Sequence, residues 1–161
     1  MTSLSGEHVA KFLKTPPEIK INPNGVDVKV SEVWQIPTDA TATIDGKTRI
    51  TSPEKIKILP NGDFYELPQG VYDVRIANEI EVPKGIVGFC HPRSTLNRLG
   101  IVKSETGIWD SGYKGFGTQT IFVPIKLLRI HKDEFWFQIR MQRSEESQHS
   151  YDGHWQGEKP E

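Results

Sequence analysis

This sequence has little cysteine and no net positive charge, and each of these features excludes a class of protein. Cys90 is the single cysteine among 161 residues, so no internal disulfide can form. Lys and Arg number 20 against 21 Asp and Glu, which leaves a formal net charge of −1 and no basic field to attract a polynucleotide. We therefore expect a cytoplasmic protein that has no nucleic-acid partner.

Long apolar runs and metal-binding patterns are also lacking. No segment approaches the roughly 20 apolar residues that a membrane-spanning helix needs, so we expect no membrane association. The five histidines show no metal-ligand spacing with one another or with Cys90, which argues against a zinc centre. The sequence also contains no glycine-rich P-loop and no Gly-x-Ser-x-Gly nucleophile elbow.

What the chain has, over the length of one domain, is strand and turn signals. Val26, Val28 and Val30 alternate with polar residues, the period of a half-buried strand, and Asp45-Gly46 and Asn61-Gly62 are hairpin dipeptides. Further strands are predicted at Lys55–Leu59, Gly70–Ala77, Gly85–Cys90, Gln119–Val123, Ile125–Ile130 and Phe135–Met141. With no helix long enough to connect parallel strands, the predicted fold class is all-β, a sandwich or barrel.

Two short helices interrupt this pattern. Apolar residues recur at helical spacing in Ser5–Lys14, which two prolines follow. A second helical turn is predicted within Arg93–Gly100, where Ser94 or Thr95 can cap the start and Gly100 can close the end.

The end of the chain differs in composition from the rest. We predict a β domain over residues 1–145 and a C-terminal arm over residues 146–161, which is polar and expected to be mobile. Tyr151 and Trp155 are two aromatic residues in this polar tail, which suggests that the arm docks on another part of the molecule.

Three internal segments carry groups suited to phosphate chemistry, and each has a simpler alternative reading. His91–Arg98 combines arginines with hydroxyls and the free N–H groups of a helix start, but it is also an ordinary capped turn. Thr106–Gly115 places Asp110 beside apolar Ile108 and Trp109, which could raise the basicity of its carboxylate for work as a general base, or the segment merely bends the chain. Pro23–Asp27 ends on a carboxylate that could orient a Mg²⁺-bound water or stabilise a turn.

Taken in order, these segments resemble the motifs of the dUTPase and dCTP deaminase superfamily, most closely its archaeal dUTPase branch. Pro23–Asp27 looks like the first motif, Pro92–Arg98 like the second and Gly107–Gly115 like the third. Phe137–Ile139 is similar to the fourth, and Tyr151–Gly157 to the C-terminal motif. Each motif alone is weak, but five in sequence on an all-β background identify the superfamily.

The resemblance implies a dUTPase-like distorted jelly roll or β-clip barrel. It also implies a homotrimer whose active sites lie at subunit contacts and are closed by the C-terminal arm. The implied activity is hydrolysis of dUTP to dUMP and pyrophosphate with Mg²⁺, which removes dUTP from the DNA precursor pool and supplies dUMP for dTMP synthesis.

The resemblance also implies a role for each matching residue. Asp110 would be the base that activates water, and Tyr113 would pack under the deoxyribose. Phosphate binding is assigned to Arg93, Ser94, Thr95, Arg98 and Gln138. Nucleoside binding is assigned to Thr106, Gly107, Ile108 and Tyr113, closure of the arm to Tyr151 and Gln156, and a water-mediated Mg²⁺ contact to Asp27.

Two other functions are compatible with this resemblance. A dCTP deaminase, alone or combined with dUTPase activity, needs a glutamate where this chain has Thr120 or its neighbours, none of which can shuttle a proton as a carboxylate does. A non-catalytic nucleotide-binding trimer is the other alternative. Glu105 lies near the expected base contacts and has no assigned role.

Overall fold

The computed structural model describes residues 2–47, 50–105 and 108–161. Two short helices are present in these ranges: α1 Gly6–Ala10 and α2 Ser94–Arg98. The strands are β1 Lys20–Asn22, β2 Gly25–Val28, β3 Val30–Ile36, β4 Thr43–Ile44, β5 Ile50–Thr51, β6 Ile56–Ile58, β7 Phe64–Ile76, β8 Ile80–Glu81, β9 Ile86–Pro92, β10 Val102–Lys103, β11 Lys114–Gly115, β12 Thr118–His131 and β13 Phe137–Arg143.

The strands form two main antiparallel sheets, which confirms the all-β prediction. The first sheet has the order β1-β2-β13-β9, and the second has the order β10-β12-β7-β3-β6. Two further pairs, β8 with β11 and β4 with β5, stand outside these sheets. No helix in the described ranges has the length and apolar character to cross a bilayer.

Both sheets contribute to one hydrophobic core. Val28 and Ile139 of the first sheet and Val74 and Ile121 of the second are fully buried in the same cluster. Asp27 departs from the half-buried pattern predicted for its strand, because it is only 4% exposed although it lies on the polar side of the alternation. Its carboxylate is covered by partners from distant parts of the chain, which a local pattern does not reveal.

The longest strand pair is β7 with β12, and it corrects the predicted boundary between two strands. Residues predicted as two strands, Gln119–Val123 and Ile125–Ile130, belong to one strand whose register shifts between Val123 and Leu127. Pro124 lies at this shift, because a proline has no N–H to donate to the ladder. Asn61-Gly62 does form a turn before β7, but β6 pairs with β3 instead of β7.

Helix α1 begins where the sequence predicted, since the Ser5 side chain accepts a hydrogen bond from the His8 amide at 3.3 Å. It ends at Ala10, well before the prolines. Residues after it leave the helix because their backbone pairs with another segment: the Glu81 amide donates to the Phe12 carbonyl at 2.9 Å.

Gly6 allows α1 to lie directly on the turn between β1 and β2, which carries the first motif. Its amide donates to the Pro23 carbonyl at 3.2 Å. A Cβ at this position would lie 1.9 Å from the Asn22 carbonyl oxygen and 2.6 Å from that of Gly25. Backbone atoms cannot move aside as a flexible side chain can.

We therefore expect Gly6→Ala to lower the free energy of unfolding by about 2 kcal/mol, because the helix must shift away from the turn. Urea denaturation at a fixed protein concentration measures this loss. Glu7→Ala is the matched control on the exposed side of the same helix, where the change should stay within about 0.5 kcal/mol. Equal effects of the two substitutions would contradict the close packing of α1.

Candidate active site

A cavity of about 760 Å³ is lined by strands β7 and β12, by the segment around Asp110 and by the C-terminal residues. Its volume lies in the range of pockets that hold small organic ligands, about 300–1,000 Å³. Ile108, Asp110 and Tyr113 of the predicted site line this cavity, as does Tyr151 of the arm. The predicted nucleoside contacts Thr106 and Gly107 lie outside the described residues.

Backbone hydrogen bonds on two sides hold the segment that carries Asp110. Gly88 of β9 and Trp109 exchange two such bonds of 3.0 Å each. The Gly112 amide donates to the Val82 carbonyl at 2.7 Å. Gly112 has a φ of 92°, a conformation that side-chain-bearing residues rarely adopt, and this turn fixes the direction of the segment.

Asp110 is exposed and makes no ion pair with another described residue. Its neighbour Ile108 is 49% exposed, so the apolar residues of this chain leave the carboxylate in contact with water. Glu105, which had no assigned role, is also exposed.

Tyr113 lies behind Asp110 and is only 3% exposed. Its ring stacks on Trp109 with centroids 6.1 Å apart and an interplanar angle of 13°. Tyr151 meets it edge-on at 5.6 Å. Burial, together with the nearby carboxylate of Glu158, raises the pKa of the Tyr113 hydroxyl well above its ordinary value, so the phenol is neutral at physiological pH.

The C-terminal arm, expected to be mobile, is docked on its own chain in this structure. The Tyr151 amide donates to the Ser111 carbonyl at 2.9 Å. The Gln156 side chain bonds on both faces of the turn: its Nε2 donates to the Gly112 carbonyl at 2.9 Å, and its Oε1 accepts from the Lys114 amide at 2.9 Å. Gln156, one of the two predicted arm residues, therefore ties the tail to the third motif.

A second set of contacts, here called the tail anchor, holds the last residues. Arg75, which is 7% exposed, places its Nε 3.3 Å from Glu32 Oε2 and donates to the Lys159 carbonyl. Thr118 donates to Glu158 Oε1 at 2.5 Å, and Arg75 Nη2 lies 3.6 Å from the same oxygen. The docked tail thus neutralises a buried guanidinium.

The cavity also contains a buried carboxylate that the sequence analysis missed. Asp73 accepts from the Thr120 hydroxyl at 2.6 Å, and Lys55 Nζ lies 2.5 Å from its other oxygen. The sequence does place Asp73 on the polar face of a strand, because it alternates with Tyr72 and Val74, which point into the core. The alternation did not reveal that the opposite face of β7, which carries Asp73 and Arg75, is also covered.

Asp27, Arg93 and Gln138 form a second polar cluster where the first, second and fourth motifs meet. Arg93 Nε lies 3.0 Å from Asp27 Oδ2, and Gln138 Nε2 donates to Asp27 Oδ1 at 3.3 Å. Gln138 stands directly opposite Asp27 in the β2–β13 ladder. Arg93 Nη1 also lies 3.0 Å from Glu134 Oε1, so Nε and Nη1 of its guanidinium both have acidic partners.

Helix α2 presents the other predicted phosphate-binding residues to solvent. Ser94, Thr95 and Arg98 are exposed, while Leu96 anchors the helix in the core. The prediction that Ser94 or Thr95 caps this helix is wrong: the N-cap residue is Arg93, and no side chain caps the helix start. The hydroxyls are therefore not engaged in capping.

The residues predicted to form one site occupy two separate groups in a single chain. Asp110, Tyr113 and Tyr151 line the cavity, whereas its described lining includes neither Arg93 nor Gln138. Within the part of the chain that the structure describes, no three His, Cys, Asp or Glu side chains are grouped as a metal site.

The contacts of Gln156 predict how the arm can be released. We expect Gln156→Ala to increase amide hydrogen exchange over residues 151–158, because the substitution removes the side-chain bonds that pin the tail. Lys159→Ala is the matched control, since Lys159 contributes a backbone carbonyl and an exposed side chain. Unchanged exchange in Gln156→Ala would mean that the backbone hydrogen bonds and the tail anchor hold the arm without this side chain.

Comparison with known proteins agrees with the family resemblance found in the sequence. The family model described as dCTP deaminase-like matches residues 4–144. A Methanosarcina barkeri protein named "Probable deoxyuridine 5'-triphosphate nucleotidohydrolase" is 31% identical over 124 residues, which cover 71% of this chain and 72% of the relative. A protein of the same name from Aeropyrum pernix is 36% identical over 110 residues, covering 64% of this chain and 62% of the relative.

A solved structure shares the fold. The 2'-deoxycytidine 5'-triphosphate deaminase from Agrobacterium tumefaciens superposes with a TM-score of 0.64 at 17% identity. The match covers 87% of this chain and 46% of the deaminase chain, so this chain spans about half the length of that neighbour. Because the family model covers most of the sequence and an archaeal relative exceeds 30% identity over more than two thirds of it, the chain belongs to the dCTP deaminase-like family.

Proposed function

We propose that the chain is a dUTP diphosphatase, which hydrolyses dUTP to dUMP and pyrophosphate. The observation that carries the proposal is the Asp110 carboxylate, which lies at a nucleotide-sized cavity and makes no ion pair with any described residue. A carboxylate with free oxygens can take a proton from water. The names of the archaeal relatives support deoxyuridine triphosphate as the substrate. This activity would remove dUTP from the DNA precursor pool and supply dUMP.

In the proposed reaction, a water oxygen bonds to the α-phosphorus while the bond from that phosphorus to the bridging oxygen breaks. Asp110 accepts the proton and pyrophosphate leaves, so no covalent enzyme intermediate forms. Tyr113 packs against the deoxyribose and leaves no room for a 2′-hydroxyl. Because Tyr151 covers the Tyr113 ring in the docked arm, nucleotide entry requires the arm to leave first and to return over the bound sugar.

The remaining assignments from the motifs belong to the same proposal. Phosphate oxygens would be bound by Arg93, Ser94, Thr95, Arg98 and Gln138. The base would lie along Thr106, Gly107 and Ile108. These groups stabilise charge on the triphosphate as the bond to the leaving group breaks.

The Mg²⁺ requirement stays a prediction, and Asp27 does not fit the water-mediated contact assigned to it. Asp27 is only 4% exposed, and its carboxylate is paired with the Arg93 guanidinium at 3.0 Å and bonded to Gln138 at 3.3 Å, which leaves little room for a hydrated ion. Mg²⁺ commonly binds through substrate phosphates and few protein carboxylates. We infer that the triphosphate itself would supply its ligands, and that the bound ion would neutralise charge on the phosphates.

A trimer would unite the two groups of residues that one chain keeps separate. Val102 of β10 pairs with Phe122 of β12, and these side chains are 56% and 43% exposed. Leu99, at the end of α2, is 48% exposed. This apolar surface adjoins the helix that carries Arg98, so a second subunit seated on it would bring Arg98 towards a neighbour's cavity.

Deamination of dCTP is a second candidate, because Asp73 places a carboxylate beside Thr120 where the sequence showed none. The archaeal relatives, however, are named as deoxyuridine triphosphate nucleotidohydrolases. We therefore favour hydrolysis.

We expect Asp110→Asn to lower kcat for dUTP at least about a hundredfold while nucleotide affinity is retained, because the amide cannot accept the water proton. Pyrophosphate release measures kcat, and calorimetry with a non-hydrolysable dUTP analogue measures affinity. Asp63→Asn is the control, a solvent-exposed aspartate paired with Lys132. Ammonia released from dCTP would indicate the deaminase, and no reaction of the unmodified protein with either nucleotide would indicate a binding protein.

Mixed oligomers test whether the site is shared. We expect Asp110→Asn and Arg98→Ala homo-oligomers to be inactive, whereas co-expressed chains should recover roughly a quarter of full activity, because random trimers pair an intact Asp110 with an intact Arg98 at that frequency. Both side chains are exposed, so neither substitution should disturb folding. Sedimentation analysis of each preparation measures whether trimers form. If co-expression restores no activity, Asp110 and Arg98 belong to a site formed by one chain.

A further inference from the structure

Asp73 and Lys55 form a charged pair on the wall of the cavity, and no role has so far been assigned to it. Lys55 Nζ lies 2.5 Å from Asp73 Oδ2, and the side chains are 33% and 9% exposed. Thr120 donates to Asp73 Oδ1 at 2.6 Å, across the β7–β12 ladder in which these two residues are directly opposite. All three residues line the cavity.

The core does not require this pair. Tyr72 and Val74, which flank Asp73 on β7, are fully buried on the opposite face of the strand. Burial of an ion pair often contributes little to stability, because desolvation of both charges offsets their attraction. A carboxylate fixed by a threonine and placed next to an ammonium group is, however, a preorganised acceptor and donor that faces the space for a ligand.

We propose that Asp73 and Lys55 read the Watson–Crick edge of the pyrimidine ring and select uracil over cytosine. This inference rests on the proposed function, since it names the base contacts of the same cavity. The Asp73 carboxylate accepts from the uracil N3–H, and the Lys55 ammonium donates to the C4 carbonyl. A carboxylate oxygen has lone pairs for a further hydrogen bond beyond the one it already accepts.

Cytosine does not match the hydrogen-bond acceptor and donor that Asp73 and Lys55 present. Its N3 carries a lone pair that would face the carboxylate, and its 4-amino group is a donor that would face the ammonium. With the sugar held against Tyr113, as in the proposed function, the ring would not slide to a register that restores these bonds. A site built to hydrogen-bond one substrate rejects an analogue whose polar groups it leaves unpaired. Thr120 contributes by holding the carboxylate in place.

The test compares Asp73→Asn and Lys55→Met with the unmodified protein. Two readouts are needed: kcat/KM for release of pyrophosphate from dUTP and from dCTP, and equilibrium binding of dUMP and dCMP. We expect each substitution to lower the uracil-to-cytosine ratio by about tenfold or more, because Asn offers a donor to cytosine N3 and Met removes the donor to C4. Glu79→Gln is the matched control, because it breaks the Lys14–Glu79 pair of 2.8 Å, neither member of which lines the cavity.

The outcomes separate this inference from the proposed function. If the unmodified protein releases no pyrophosphate, the proposed function fails, while the dUMP-to-dCMP binding ratio still tests the pair. An equal loss for both bases would show a structural role and overturn the inference. If Asp73→Asn fails to fold, Lys55→Met is the deciding variant, because Lys55 lies in the segment between β5 and β6. An unchanged uracil-to-cytosine ratio in Lys55→Met overturns the inference. Ammonia release from dCTP that Asp73→Asn abolishes would make Asp73 a proton shuttle instead.

Discussion

The backbone hydrogen bonds that tie residues 109–113 to Val82 and Gly88 fix the segment that brings Asp110 and Tyr113 to the cavity. Gly88 belongs to a strand of the first sheet, whereas the segment continues through β11 into β12 of the second sheet. A Cβ at Gly88 would lie 3.2 Å from the Trp109 ring, so close approach of the segment depends on this glycine. Because two sheets hold one short segment, Asp110 can be exposed to water and still keep a defined direction, which a general base requires.

The polar face of β7 is the second constraint on the site. Asp73 and Arg75 stand on a central strand, where their charges are covered and would be costly without partners. Their partners come from distant parts of the chain: Lys55 for the aspartate, and Glu32 with the C-terminal tail for the arginine. One charge therefore faces the ligand space, and the other holds the arm that covers it. In the proposed function, this strand links recognition of the nucleotide to closure of the site.

The residues of the proposed site form two separate groups in one chain, one at the cavity and one around the second motif. The arm covers the cavity that contains Asp110, while Arg98 lies on an exposed helix next to an apolar surface. Asp27, chosen from the sequence for a metal role, instead neutralises Arg93 and orients it. Because Asp27 is buried, loss of Arg93 would leave its carboxylate without a charge partner, which makes the pair a strong positioning element for the second motif.

Local chemistry in the sequence determined the all-β class, the start of α1 at its Ser5 cap, most of the strands and the identity of the third motif. These features depend on residue alternation, capping and turn preferences, which act over a few neighbouring positions. Tertiary structure alone decided that Asp27 is buried and that the polar tail docks. It also decided that Arg93 occupies the N-cap position of α2 without a side-chain capping bond, and that Asp73 joins Lys55 and Thr120 at the cavity. Each of these depends on contacts between residues far apart in the chain, and no local pattern encodes which distant partner will satisfy a buried charge.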